Sequence, residues 1–183
     1  MSVDALVRLC AGSVDFHAVR STSGKGLMAA EVAGLLAGLD PLEMELAMAK
    51  YLGDVDAQER LIDAVKVLVT DRARTEGWRI IDGRPCLNNI AVLAVLDVVR
   101  PNVCAGCGGV GVVRGKLCLA CDGSGTRVLS GRAIARAIGV DEKQYRAVWK
   151  SRYQGIFKLM QNIDCNVNLS VLRNGLEGKL LAA

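Results

Sequence analysis

The chain has 183 residues, half of them apolar (51%), with seven cysteines, one histidine and a formal net charge of +4. That is enough length and apolar content for a core without disulfides, and a single histidine argues against a two-histidine metal site or a Ser-His-Asp triad. The charge is uneven: residues 1–100 carry 11 Lys/Arg and 14 Asp/Glu, whereas residues 101–183 carry 12 and 5, so a polyanion partner is expected at the second part.

The stretch MSVDALVRLCAGSVDFHAVR lacks a basic start followed by a sustained apolar run, and no apolar run of about 18 residues occurs, so neither a signal peptide nor a membrane span is expected. A cytoplasmic chain with reduced thiols follows, and clustered cysteines there favour metal over disulfide. The sole histidine, His17, falls in the polar, Gly/Ser-rich stretch Phe16–Gly26, which reads as flexible. Its end, Ser23-Gly24-Lys25-Gly26, lacks the spacing of a phosphate-binding loop.

Residues 27–40 read as a helix ended by Asp40-Pro41, with Pro41 suited to the first turn of the next helix. That helix stops at Gly53. Asp54 to about Arg74 is amphipathic: Leu61, Val65, Leu68 and Val69 recur at helical spacing, with Arg60, Asp63, Lys66 and Arg72 between them. EGWRIIDGRP reads as a loop, and CLNNIAVLAVLDVV as a buried helix cut off by Arg100-Pro101.

Cys104-x2-Cys107 and Cys118-x2-Cys121 follow, ten residues apart. Each pair presents two thiolates from one tight turn, and two such turns face to face make a tetrahedral four-sulfur site for one structural zinc ion. Gly109 and Gly111 trail the first pair and Gly123 and Gly125 the second, as knuckle turns with positive φ require. A β-hairpin turning near Arg114-Gly115-Lys116 is expected between them. A redox Cys-x-x-Cys would open a helix in a βαβ setting, and neither pair does. A closed four-thiolate site contributes folding energy rather than catalysis, so no enzymatic activity is expected. Cys10, Cys86 and Cys165 lack such spacing and read as ordinary thiols.

Leu129–Met160 has the pattern of a helix-turn-helix. Ser130 is the N-cap, Ala135 the small residue at the crossing and Gly139 the turn, with Ile134, Ile138, Val140, Tyr145 and Val148 filling the space between the helices. At about 100° per residue, Lys143, Arg146, Ala147 and Lys150 share one stripe opposite Tyr145 and Val148. Arg132, Arg136 and Arg152 are candidates for phosphate contacts, and Lys143, Gln144, Arg146 and Lys150 complete the candidate DNA-binding set, with Lys143, Gln144 and Arg146 able to read base edges. The alternative for the same residues is a helical hairpin with a solvated basic face.

The two units, Cys104-Ala-Gly-Cys107-Gly-Gly109-Val-Gly111 and Cys118-Leu-Ala-Cys121-Asp-Gly123-Ser-Gly125, lie behind a helical region and ahead of a helical DNA-binding region. In this layout, over about residues 27–175, the chain resembles the late-gene antitermination proteins of lambdoid phages, the Q proteins. J-domain chaperones carry related units, but four of them, behind a His-Pro-Asp motif that is absent here. The stretch between the cysteine pairs is shorter than in the lambda protein.

The resemblance implies a phage factor in the bacterial cytoplasm. It would bind a double-stranded DNA element at a late promoter, load onto paused bacterial RNA polymerase through the sigma subunit and the β flap, and make it read through terminators. The alternative is a zinc-stabilised DNA-binding repressor or activator without effect on elongation; a third reading is a scaffold that binds protein through its zinc knuckles. The expected fold is mostly α: an N-terminal segment (1–26), a helical domain (27–100), a four-cysteine zinc-binding hairpin and knuckle insert (101–128), and a helix-turn-helix-like region with C-terminal helices (129–183).

Overall fold

The computed structural model describes residues 29–78, 85–100, 103–126 and 129–181. The segment 1–26, with His17 and Cys10, and most of the expected loop before Pro85 lie outside the described residues. The described chain is mostly helical. In order come α1 (Ala29–Leu35), α2 (Pro41–Tyr51), α3 (Val55–Thr75), α4 (Pro85–Val99), β1 (Val112–Val113), β2 (Lys116–Leu117) and α5 (Gly131–Ile138). Then α6 (Glu142–Gln144), a π-helical turn (Tyr145–Trp149) and α7 (Lys150–Leu181) follow one another without a gap.

Local chemistry sets these boundaries. The first helix ends earlier than its apolar run suggests, because the chain turns at Gly38 with φ 79°. Asp40 then opens α2 with a capping box: its carboxylate accepts from the N–H groups of Leu42 (2.9 Å) and Glu43 (2.8 Å), and the Glu43 carboxylate accepts from the Asp40 N–H. Pro41 occupies the first turn, where a missing N–H costs nothing.

The chain divides into two compact units, one formed by residues up to Leu61 together with those from Gln161, the other by Ile62–Met160. In the first, Leu46, Ala47, Ala57, Leu61 and Val167 are fully buried. A polar network ties α2 to α7 there. Lys50 pairs with Asp164 at 2.7 Å, and the Tyr51 hydroxyl donates to Asp164 Oδ1 at 2.9 Å and lies 2.9 Å from Asn168 Oδ1. Burial, then the Asp164 carboxylate, pushes the Tyr51 hydroxyl well above its ordinary pKa, so it remains a donor.

In the second unit, Val65 and Val69 of α3, Ile90, Ala91, Ala94 and Val95 of α4, Ile138 of α5, and Ile156 and Met160 of α7 are buried. Helix α4 packs on α5, and the Asn89 amide donates to the Ile138 carbonyl at 3.4 Å. Tyr153 donates to Asp97, fixing α7 to α4.

Val148, expected between the helices, is instead 42% exposed, and Trp149 is buried beside Tyr145. The cause is the π-helical turn over Tyr145–Trp149, which spends more residues per turn than the α-helix assumed. Ile138→Ala should therefore cost about 2–5 kcal/mol of stability, the range for a fully buried large-to-small change. Val148→Ala should cost about 0.5 kcal/mol or less, as at an exposed position. Urea denaturation of the two variants checks the ranking, and equal losses would contradict the π-helical register.

Candidate metal centre and basic helical face

Residues 103–126 build their centre from cysteine rather than from apolar side chains. Cys104, Cys118 and Cys121 are buried, with Cys107 packed against them. The apolar residues of the segment point outward: Val103, Val110, Leu117 and Leu119 are exposed, Leu119 almost completely at 99%. A segment of this size with no apolar core needs another source of folding energy.

The four sulfurs lie within 4.8 Å of one another. Cys104 Sγ and Cys118 Sγ are 3.9 Å apart, and Cys107 Sγ and Cys121 Sγ 3.7 Å. A tetrahedron with metal–sulfur bonds of about 2.3 Å has edges of about 3.8 Å, so the donor set fits one four-coordinate ion.

The two Cys-x-x-Cys-x-Gly-x-Gly units interlock reciprocally. The Cys104 N–H donates to the Gly125 carbonyl, and the Cys118 N–H to the Gly111 carbonyl, both at 2.9 Å. Each last glycine donates its own N–H to the second cysteine of its unit: Gly111 to Cys107 Sγ at 3.2 Å and Gly125 to Cys121 Sγ at 3.3 Å. Such N–H groups stabilise thiolate charge and orient the ligands. A Cβ at Gly111 would stand 2.3 Å from the Gly123 carbonyl oxygen, and one at Gly125 2.2 Å from that of Gly109. The glycine spacing is thus a demand of close backbone approach as well as of positive φ. Between the units β1 pairs antiparallel with β2 through a turn in which Arg114 and Gly115 both have positive φ.

The thiols titrate as a cluster. Burial opposes ionisation of Cys107, but the N–H groups of Gly111 and Gly109 and the thiols of Cys121 and Cys104 outweigh it and bring its pKa down to about 7. The Ala120 N–H favours the Cys118 thiolate, yet desolvation and the neighbouring thiols, Cys121 first, push that pKa up to about 11. One sulfur ionises readily and its neighbour resists, as crowded like charges must. A bound cation removes the conflict, and Cys104, Cys107, Cys118 and Cys121 would hold it.

Beyond the cysteine module, Ser130 caps α5 by accepting from the Ala133 N–H at 3.2 Å. Gly139 ends it with φ 81°, and the Val140 N–H returns to the Ala135 carbonyl. Asp141 then caps the next helix through the Gln144 N–H at 2.8 Å. Ile134, Ala135, Ile138, Tyr145 and Trp149 face inward, while Arg132, Arg136, Lys143, Arg146 and Lys150 are exposed. Arg132, Lys143 and Arg146 come together around one open depression with Glu142 and Ala147. Arg136 and Lys150 are exposed outside its lining, and Gln144 is half-buried.

Arg152 does not join this surface. Its guanidinium lies 4.8 Å from the Trp78 ring centre and 4.6 Å from that of Trp149, and its Nη1 is buried without a hydrogen-bond partner. Desolvation lowers its pKa from the usual value. The contact is a cation–π seat, so packing against Trp78 and Trp149 is what the structure gives for this side chain. Trp78 is held for this role by its Nε1–H donating to Glu76 at 2.8 Å.

Glu142 is the member of the basic surface that the charge pattern passes over, although its spacing to Arg146, four residues on, is that of a helical ion pair. Trp78 has no comparable local signal for its ring contacts, since Trp149 and Arg152 lie some 70 residues away in sequence.

No family model, no curated protein and no solved structure matches the chain. Among the described residues no helix is long and apolar enough to cross a membrane.

Gly111→Ala should prevent metal uptake and leave the module unfolded, because the new methyl meets a backbone carbonyl. Gly115→Ala, also at positive φ but with nothing within 4 Å, should retain metal and lose only about 1 kcal/mol. Metal content after gel filtration and thermal melting checks both, and metal retention by Gly111→Ala would contradict the interlock.

Proposed function

We propose that the chain is a zinc-stabilised, double-stranded-DNA-binding transcription antitermination factor acting on bacterial RNA polymerase in the host cytoplasm. The observation that carries the DNA-binding part is the face beyond the Gly139 turn. There Tyr145 and Trp149 are buried while Lys143, Arg146 and Lys150 are exposed on the same helical stretch, with Arg132 and Arg136 exposed on α5. This pattern supports a helix-turn-helix reading, in which the second helix would enter the major groove while flanking cations hold phosphates.

The sulfur donor set supports zinc, since four thiolates in tetrahedral reach suit a soft, redox-inert ion. Zinc would supply folding energy to the hairpin and knuckles and no reaction chemistry. On DNA, Lys143, Arg146 and Lys150 displace counterions from the backbone, so affinity falls as salt rises. Gln144 remains the candidate for a base-edge contact.

Antitermination itself rests on the resemblance of the paired Cys-x-x-Cys-x-Gly-x-Gly units and their flanking layout to the Q proteins. On that reading the protein binds near a late promoter, joins polymerase paused just downstream through its β flap and sigma subunit, and travels with it.

Transcription in vitro tests this reading. Bacterial RNA polymerase holoenzyme would be run on a template carrying the phage DNA that follows this reading frame, with a terminator beyond it. Protein-dependent read-through, lost with Cys104→Ser, is expected. Specific DNA binding without read-through would instead establish a repressor or activator that leaves elongation unchanged.

A further inference from the structure

The depression on the basic face contains a carboxylate placed between two arginines. Glu142 pairs through Oε2 with Arg132 Nε at 3.1 Å and through Oε1 with Arg146 Nη2. Arg132 belongs to α5 and Arg146 to the π-helical turn, so one acidic side chain draws together guanidiniums from two elements. The arginine side chains are 76% and 74% exposed, and that of Glu142 is 32% exposed. With Lys143 and Ala147 these residues line an open depression of about 560 Å³.

Three cations against one carboxylate leave the depression net positive. Each arginine commits one nitrogen to Glu142 and keeps other N–H donors of its planar fork, a geometry that matches phosphate oxygens. The hydrogen bonds from Arg132, then Arg146, hold the Glu142 carboxyl below its ordinary pKa, so it stays charged at neutral pH.

We infer that this depression is a clamp for a DNA backbone phosphate, formed by Arg132, Lys143 and Arg146, with Glu142 as the positioning residue that holds the two arginines together before the duplex arrives. The inference rests on the DNA-binding reading above, and it assigns Arg146 to the backbone rather than to a base edge. Two physical effects of Glu142 have opposite sign. As a charge it repels phosphate, so removing it should tighten binding. As a brace it spares two long side chains the entropy of being ordered on binding. The clamp requires the second effect to win.

The test is a double-mutant cycle read by fluorescence anisotropy, using a fluorescein-labelled mixed-sequence duplex at low salt. The four proteins are the full-length chain, Glu142→Gln, Arg132→Gln/Arg146→Gln, and the triple variant, each checked for unchanged far-ultraviolet circular dichroism. Glu142→Gln is expected to weaken binding about five-fold, the scale of ordering a long side chain. In the double-arginine background the same change should weaken nothing, because no arginine remains to be held. Unchanged or tighter binding by Glu142→Gln would overturn the clamp and leave the DNA-binding reading standing. An equal loss in both backgrounds would assign Glu142 a merely structural role and overturn it too. Absence of duplex binding by the unmodified chain would remove the DNA-binding reading and the clamp together.

Discussion

Four sulfur atoms crowded within 4.8 Å are the constraint from which the centre of the protein follows. Thiols that close cannot all ionise against one another, and residues 103–126 have no apolar core to compensate, their valines and leucines being turned outward. A bound metal ion would resolve both problems: it would neutralise the thiolates and serve as the core. Structural zinc is worth about 10–16 kcal/mol in small finger domains, on the order of the stability of a whole domain. Each knuckle also relies on the other, since the last glycine of one unit accepts the N–H of the first cysteine of its mate.

The four-cysteine module is largely legible in the sequence because its information is local. Cysteine spacing brings two ligands to one turn, and glycine spacing marks where backbones meet. Helix starts are legible for the same reason: Asp40, Ser130 and Asp141 satisfy N–H groups two or three residues on. The reciprocity of the knuckles is not legible, because a contact such as Gly111 against Gly123 depends on how two turns dock.

The second helix shows where pattern reading stops. A fixed 100° step places Lys143, Arg146 and Lys150 together, and all three are exposed. It also buries Val148, which the π-helical turn leaves exposed. Beside that turn Trp149 stands edge-on to Trp78 at 6.3 Å and Arg152 is seated against both rings. No window of a dozen residues contains Trp78 and Arg152 together, so the arginine reads from sequence as one more surface cation. The Lys50–Asp164 pair, 114 residues apart, is hidden for the same reason.

Cation placement and metal ligation connect at the level of folding. The basic face is built by helices that cap themselves, whereas the module just before them is centred on four cysteines that could hold one metal ion. The most direct test is metal analysis with X-ray absorption at the zinc edge, on protein purified without added metal. One zinc per chain, with four sulfur neighbours at about 2.3 Å, is the expected result. Well under one equivalent of zinc in folded protein, or nitrogen and oxygen in the first coordination sphere, would contradict the four-cysteine centre on which this account stands.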